Sequence, residues 1–332
     1  MARLPPAVSA SVDIVYPTVR EEPAFEWFAD ALARQLGDGD DARVVVVDGR
    51  DGPGRRRRFE DAVAGRFAFL HVPAKPSPHQ GPHRRTKSDC FAAASARNTG
   101  LVYASAPTVV FVDDCAVPMP GGWRAVRRAA GDGAVVTGAY QRHWSMDVRE
   151  GRLVSSRPHD AGLDSRWSQG DDTRPVPIGG AQLYSTTLCA PRELLLSVNG
   201  FDELCGIIAQ EDWQLGLRLE NAGVPMRYDR SMLIVESEEL GRRPPTLLRL
   251  DPELSEAVYA ERLAEFGVAR RRTTGRFDAT RFVIDVVLGT GSWATYGNYY
   301  WLADLTPDAF DATIPRFPER FWFDGRPLAS IG

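Results

Sequence analysis

Apolar residues along the first two thirds of the chain follow two rhythms. Val12-Asp13-Ile14-Val15-Tyr16, Val44 to Val47 and Val109-Val110-Phe111-Val112 are nearly continuous runs, ended by Pro17, by Asp48-Gly49 and by Asp113-Asp114. Such runs suit strands of a parallel sheet covered on both faces. Phe67 to Val72 and Ala134 to Thr137 read as two further strands. Elsewhere the apolar positions recur every three or four residues. Phe25, Phe28, Leu32 and Leu36 form one helical face, with Glu21 and Glu22 near its start, where the helix dipole favours acids. Helices are also predicted from Cys90 to about Ala104, with Asp89 as N-cap, and from Gly121 to Ala130. Another begins near Glu211-Asp212, with Asp212, Leu215, Leu219 and Ala222 on one face and Gly223 as its stop.

Strands alternating with helices predict an α/β fold with a mostly parallel sheet flanked by helices. In such sheets ligands bind beyond the carboxyl ends of the strands. Pro17-Thr18, Asp48 and Asp113-Asp114 all fall at such ends. Three stretches read as irregular: a Gly- and Arg-rich surface loop at 51–58, a proline-rich segment from Pro73 to His83, and a polar loop over the sheet edge at 141–175, a candidate lid. Beyond Leu240 the character changes. Pro244-Pro245 marks a break, a helix is predicted from about Pro252 to Phe266, and the tail is rich in aromatics from Trp293 to Trp322.

Composition narrows the function classes. The 332 residues are 43% hydrophobic and 25% charged, ordinary for a folded protein. A net charge of −4 gives no global case for nucleic acid or an anionic membrane, although the run Arg55 to Arg58 keeps nucleic acid in view. No stretch of apolar residues is long enough to span a bilayer, and the N-terminus does not read as a secretory signal. A cytoplasmic location with reduced thiols is therefore expected for Cys90, Cys115, Cys189 and Cys205, none of which forms a CxxC pair. The five histidines show no metal spacing, and neither a nucleophile elbow nor a phosphate-loop motif occurs.

Two acidic features carry chemistry. Adjacent carboxylates at Asp113-Asp114 repel unless something compensates them; a hard cation such as Mg²⁺ or Mn²⁺ would, and a polar loop with a helix cap is the alternative. Asp212 at a helix start would stay ionised, as a base requires, or would merely cap the helix.

The order of these pieces resembles the inverting, family-2-like glycosyltransferases of the GT-A fold. Val12 to Thr18 resembles their first strand and loop, and Val44 to Asp48 their second strand. Ala96-Arg97-Asn98-Thr99-Gly100-Leu101 is similar to their Ala-Arg-Asn-x-Gly helix. Phe111 to Pro118, followed by Gly122-Trp123, resembles the metal-site strand end. Asn199-Gly200-Phe201-Asp202-Glu203, Glu211-Asp212 and Leu217-Arg218-Leu219 with Ala222-Gly223 resemble the acceptor-side block. The resemblance spans residues 12 to 223, about two thirds of the chain.

It implies a GT-A-type, Rossmann-like domain over residues 1–240, with a nucleotide-binding half to 118 and an acceptor half from 119, and a C-terminal helical, aromatic-rich extension over 241–332. It implies a nucleotide-sugar donor, UDP being the family's commonest nucleotide. Asp48 would hold the base near Pro17 and Thr18, Arg84 or Lys87 would offer positive charge, and Asp113 would face the ribose. Asp114 would face an Mn²⁺ or Mg²⁺ ion, and Asp212, beside Glu211, would take the acceptor proton. Trp144 and Trp167 become candidates for sugar or acceptor contact. Two positions depart from the pattern. Cys115 stands where the family carries a third acid, and Glu236 stands where many relatives carry a histidine; Glu236 is expected to join Asp114 as a metal ligand. The acceptor stays open among a glycan, a small molecule, a protein and a modified nucleic acid. A sugar-nucleotide nucleotidyltransferase, or a binding protein on a decayed transferase scaffold, are the competing readings.

Overall fold

In the computed structural model the described residues are 11–50, 53–74, 93–171, 173–203 and 211–242. Arg84, Lys87, Cys90, Cys205, the Asp89 cap and the extension from 243 lie outside them.

The apolar runs become strands whose alternate residues feed two cores. Strands β1 (Val12–Thr18), β2 (Ala42–Asp48), β3 (Ala68–Pro73) and β4 (Thr108–Val112) pair in parallel, in the order β3-β2-β1-β4. Ile14, Tyr16, Val44, Val46, Val110 and Val112 point to one face, packed under α1 (Phe25–Gln35), α2 (Pro53–Val63) and α4 (Gly122–Gly131). Val15, Val45, Val47, Val109 and Phe111 point to the other, against α3 (Ala93–Tyr103), α5 (Arg192–Ser197) and α6 (Glu211–Asn221). The period of two in strand side chains explains the unbroken hydrophobicity, because both faces are buried.

The sheet continues through β9 (Thr187–Pro191), antiparallel to both β4 and β6 (Val135–Arg149). Then β10 (Met226–Ser237) runs parallel to β6 and pairs antiparallel with the short β5 (Ala116–Pro118) and β8 (Val176–Ile178). The result is a mixed, mostly parallel α/β sheet flanked by helices on both faces, as the sequence predicts. The short α7 (Glu238–Arg242) follows β10.

Helix α3 lies so close to β1 that a Cβ on Gly100 would overlap the Cγ atoms of Val15. This contact sets the distance between helix and sheet, and it gives the glycine of the Ala-Arg-Asn-x-Gly stretch a packing reason. Gly100→Ala is expected to cost about 2 kcal/mol by overpacking. Adding Val15→Ala should recover part of that loss, so the double mutant melts above the sum of the singles. Strictly additive melting temperatures would refute the close contact.

Two sequence expectations are corrected. Residues 53–63 form α2 rather than a loop. Arg55 pairs with Asp48 at 2.6 Å and Arg58 with Glu22 at 2.6 Å, partners from other parts of the fold, while Arg56 pairs with Glu60 at 2.9 Å along the exposed face of α2 itself. Residues 141–163 are not an irregular loop but the outer part of a hairpin between β6 and β7 (Arg152–Leu163). Its turn is Glu150-Gly151, both at positive φ (47° and 70°), as tight hairpins require. The tip rests on α1: Arg34 Nη2 meets Glu150 Oε2 at 2.7 Å, and Gly151 lies where a Cβ would overlap the backbone of Ala31.

Candidate active site

Four segments meet at the carboxyl edge of the parallel strands: the end of β1, the Asp113-Asp114-Cys115 turn after β4, the middle of β6 and the end of β10. Cys115 takes a positive φ of 58°. From there its N–H donates to Pro23 O at 3.0 Å and its carbonyl accepts from Ser237 N at 3.0 Å, which stitches β10 to the loop after β1. A cavity of about 330 Å³ opens between them, walled by Arg20, Arg97, Asp113, Asp114, Arg142 and Glu236, with Pro17 and Cys115 also on its lining.

Asp113, Asp114 and Glu236 each have an arginine partner. Asp114 accepts from Thr18 Oγ1 at 2.8 Å and Arg20 Nε at 2.9 Å. Asp113 accepts from Arg97 Nη2 at 2.7 Å. Glu236 accepts from Arg142 Nε at 3.3 Å, while its Oε1 is buried without a partner. Burial raises the Glu236 carboxyl to about 8, with Asp113 adding repulsion and Arg142 opposing it. Burial also raises Asp114, against the pull of Arg20 and Thr18. The Cys115 thiol is pushed up by burial and by Asp114, so it stays protonated.

Asp48 stands elsewhere than on this wall. It is 1% exposed, and its oxygens accept from Arg55 at 2.6 and 3.0 Å and from Arg50 N at 2.9 Å, with His71 Nε2 at 3.2 Å. Burial alone would raise its pKa; the hydrogen bonds from His71 and Arg55 outweigh that and hold it low.

The acceptor-side block is joined to the same cavity through α3. Arg97, 6% exposed, bridges Asp113 and Glu211, with Nη1 donating to Glu211 Oε1 at 2.7 Å. Its neighbour Asn98 donates to Phe201 O and Glu203 Oε1 and accepts from Phe201 N, all at 2.8 Å. That pins the turn after α5, which Asn199 and Gly200 make with positive φ. Arg218 fastens the turn from below, donating to Val198 O at 2.5 Å and Gly200 O at 2.6 Å.

Asp212, in the first turn of α6, accepts from Trp213 N at 2.9 Å and, at 3.4 Å, from Ser185 N. Burial raises it to about 6, Glu211 adds to the rise, and Arg97 opposes it. The loop that carries Ser185 is pressed onto α6, since a Cβ on Gly180 or Gly216 would overlap the other's backbone.

The structure thus gathers Pro17, Asp113, Asp114 and Glu236 at one cavity, with Thr18 behind Asp114, and ties Glu211 to it through Arg97. Trp144 lies on the β6–β7 hairpin against His159, ring centres 4.2 Å apart, and Trp167 lies under Arg230 at 4.8 Å. Sequence reasoning gave no role to Arg20, Arg97 or Arg142. For Arg97 a signal existed: it is the one charged residue between Ala93 and Tyr103, and an arginine in so apolar a helix needs acids as partners once the helix is buried. Arg20 and Arg142 meet their acids across 94 positions of sequence each, which no local pattern records.

Among the described residues no three carboxylates, imidazoles or thiols stand together as a ready cation site. The two acids nonetheless fit one. The orphaned Glu236 Oε1 and the mutual repulsion of Asp113, Asp114 and Glu236 are what a divalent cation would relieve. Mg²⁺ and Mn²⁺ commonly take one or two carboxylates and complete their shell with phosphate oxygens and water.

No family model matches the chain, and no curated protein matches it. Among solved structures it is similar to S. aureus TarS residues 1–349 in complex with UDP-GlcNAc, at 12% identity over 95% of this chain and 79% of that one, with a TM-score of 0.53. TarS 1–349 in another crystal structure gives 14% identity, 83% and 75% coverage and a TM-score of 0.49. Glucosyl-3-phosphoglycerate synthase from Mycobacterium tuberculosis, in complex with Mn²⁺, UDP-glucose and phosphoglyceric acid, gives 16% identity, 79% of each chain and 0.44. At such identities the likeness is one of fold, and with the strand order above it gives this chain a GT-A-type, Rossmann-like sheet.

Proposed function

We propose that this chain is a glycosyltransferase that moves a sugar from a nucleotide donor, a UDP-sugar, to an acceptor hydroxyl with inversion. The observation that carries the reading is Asp212: a buried carboxyl at a helix N-terminus, raised to about 6 and linked through Glu211 and Arg97 to the acid-and-arginine cavity. A carboxylate there is ionised at neutral pH and basic enough to take a hydroxyl proton. The acceptor oxygen forms its bond to the anomeric carbon as the bond to the diphosphate breaks, and the acceptor proton passes to Asp212. Glu211 acts through Arg97 as a positioning residue. The GT-A-type sheet supports the reading, since TarS, its neighbour in fold, was crystallised with UDP-GlcNAc.

Asp114 and Glu236 would hold Mn²⁺ or Mg²⁺, which when bound supplies Lewis-acid stabilisation of the departing diphosphate. Asp48, sealed beneath Arg55, would shape the floor of the base pocket through that arginine. Arg55, Arg56 and Arg58 each engage an acid, which favours a glycan, protein or small-molecule acceptor over nucleic acid.

The test is a thermal-shift series with UDP, GDP, CDP and dTDP, each with Mn²⁺ or EDTA. UDP with Mn²⁺ is expected to raise the melting temperature more than UDP with EDTA does, and Asp114→Ala to remove that difference. No response to any nucleotide would overturn the assignment and favour the decayed scaffold, to which the buried Cys115 thiol already lends weight.

A further inference from the structure

Three arginines face four acids across one cavity, Asp113, Asp114, Glu236 and Glu238, and the arginine pairs are unequal. Arg97 is 6% exposed, held from two sides by Asp113 and Glu211, and has no freedom to leave. Arg142 is 47% exposed and reaches Glu236 through one long bond of 3.3 Å, with the Tyr140 ring 5.2 Å from its guanidinium. Arg20 is 23% exposed and reaches Asp114 at 2.9 Å and Leu240 O at 3.3 Å. Arg142 and Glu236 are register partners on the parallel strands β6 and β10, so the sheet itself sets them side by side. Their contact still leaves Glu236 Oε1 without a partner. Arg20 and Arg142 are both less buried than Arg97, and both line this cavity, which carries charge of both signs.

We propose that Arg20 and Arg142 are the groups that grip the donor's diphosphate, and that Asp114 and Glu236 act as brakes on them. Each acid occupies the guanidinium that a phosphate needs. The inference rests on the reading of this cavity as a donor site and adds a competition to it. Guanidinium binds phosphate oxygens with the same planar fork it offers a carboxylate, so the two anions contest one donor set. Removing an acid's charge while keeping its shape should strengthen diphosphate binding. It should do so with no divalent cation present, although the same acids are the candidate cation ligands.

The experiment is calorimetric titration of the full chain at pH 8.5, where Glu236 is mostly ionised, with UDP, and separately with inorganic pyrophosphate, in EDTA and in Mn²⁺. Glu236→Gln is expected to bind both ligands about tenfold more tightly than the wild type in EDTA, the weight of one charge-assisted contact. Asp114→Asn is expected to change in the same direction. Arg142→Met should weaken both ligands about tenfold in either buffer, and without nucleotide should tighten Mn²⁺ itself, read from the free-ion electron paramagnetic resonance signal. Melting curves confirm that each variant is folded. If the wild type binds UDP in Mn²⁺ while Glu236→Gln and Asp114→Asn bind no tighter than it in EDTA, the braking role is wrong and the donor site stands. If the wild type binds neither UDP nor pyrophosphate in either buffer, the donor-site reading fails and the brake fails with it.

Discussion

Asp212→Asn is expected to lower the rate of sugar transfer about a thousandfold while UDP affinity stays within about a factor of two. The carboxylate sits at the start of α6, away from the cavity wall that would hold the diphosphate, so its loss touches proton transfer rather than donor binding. The pH dependence follows from its raised pKa. The base acts deprotonated, so the wild-type rate should climb as pH rises through about 6 and level off above it, and the Asn variant should lack that limb. Stability should move in the opposite sense. Because the folded pKa lies above the unfolded value of 3.8, the native state keeps the proton over that interval. Stability is therefore lost as pH rises from about 4 to about 6. Asp212→Asn, which carries no charge to bury, should then melt at or above the wild-type temperature at pH 7. The check is UDP release with donor alone and with candidate acceptors, beside melting curves at pH 5 and 7. Full activity in the variant would remove Asp212 from the chemistry.

Arg97→Met should produce the largest loss of stability, about 3 kcal/mol, which for a domain of this size lowers the melting temperature by about 9 °C. Arg97 joins the turn after β4 to the start of α6. Without it Asp113 and Glu211 face each other's surroundings with no cation between them. Arg97→Lys keeps the charge but offers one ammonium where two nitrogens point to two acids, so it should recover part of the stability and little of the activity. Calorimetry with UDP titration checks both. A Met variant that melts with the wild type would mean that α6 is held by packing alone.

Much of this was readable before any coordinates. Strands β1, β2 and β4 and helices α1, α4 and α6 follow from apolar rhythm, because both faces of the sheet are covered and each helix shows one stripe. The hairpin was not readable, and the reason is physical. Most residues of β7 are exposed, so no buried face imposes alternation on them. The turn at Glu150-Gly151 also lacks the Asn or Asp that usually announces such a bend. The run from Arg55 to Arg58 misled for the opposite reason, since Glu22, Glu26 and Asp48 reach it from other elements. At the site, the acids Asp113, Asp114 and Asp212 were legible because strand ends and helix starts restrict where carboxylates fall. Their arginine partners were not, since pairing across the sheet leaves no mark on local spacing.

Strand β9 has a consequence for how the chain is made. It lies between β4 and β6, although roughly 75 residues separate it from β4 in sequence. At about 5–20 residues per second, a ribosome needs some 4–15 seconds to cover that gap. Throughout it the Val109-Val110-Phe111 edge of β4 has no strand beside it on that side. An unpaired apolar edge is a template for pairing with another nascent chain. Polypeptides halted between Val112 and Thr187 should therefore collect in inclusion bodies or on chaperones more than those that extend past Ser237, by which point β9 covers β4 and β10 covers β6. The exposure of the β4 edge ends with the emergence of five residues, Thr187 to Pro191.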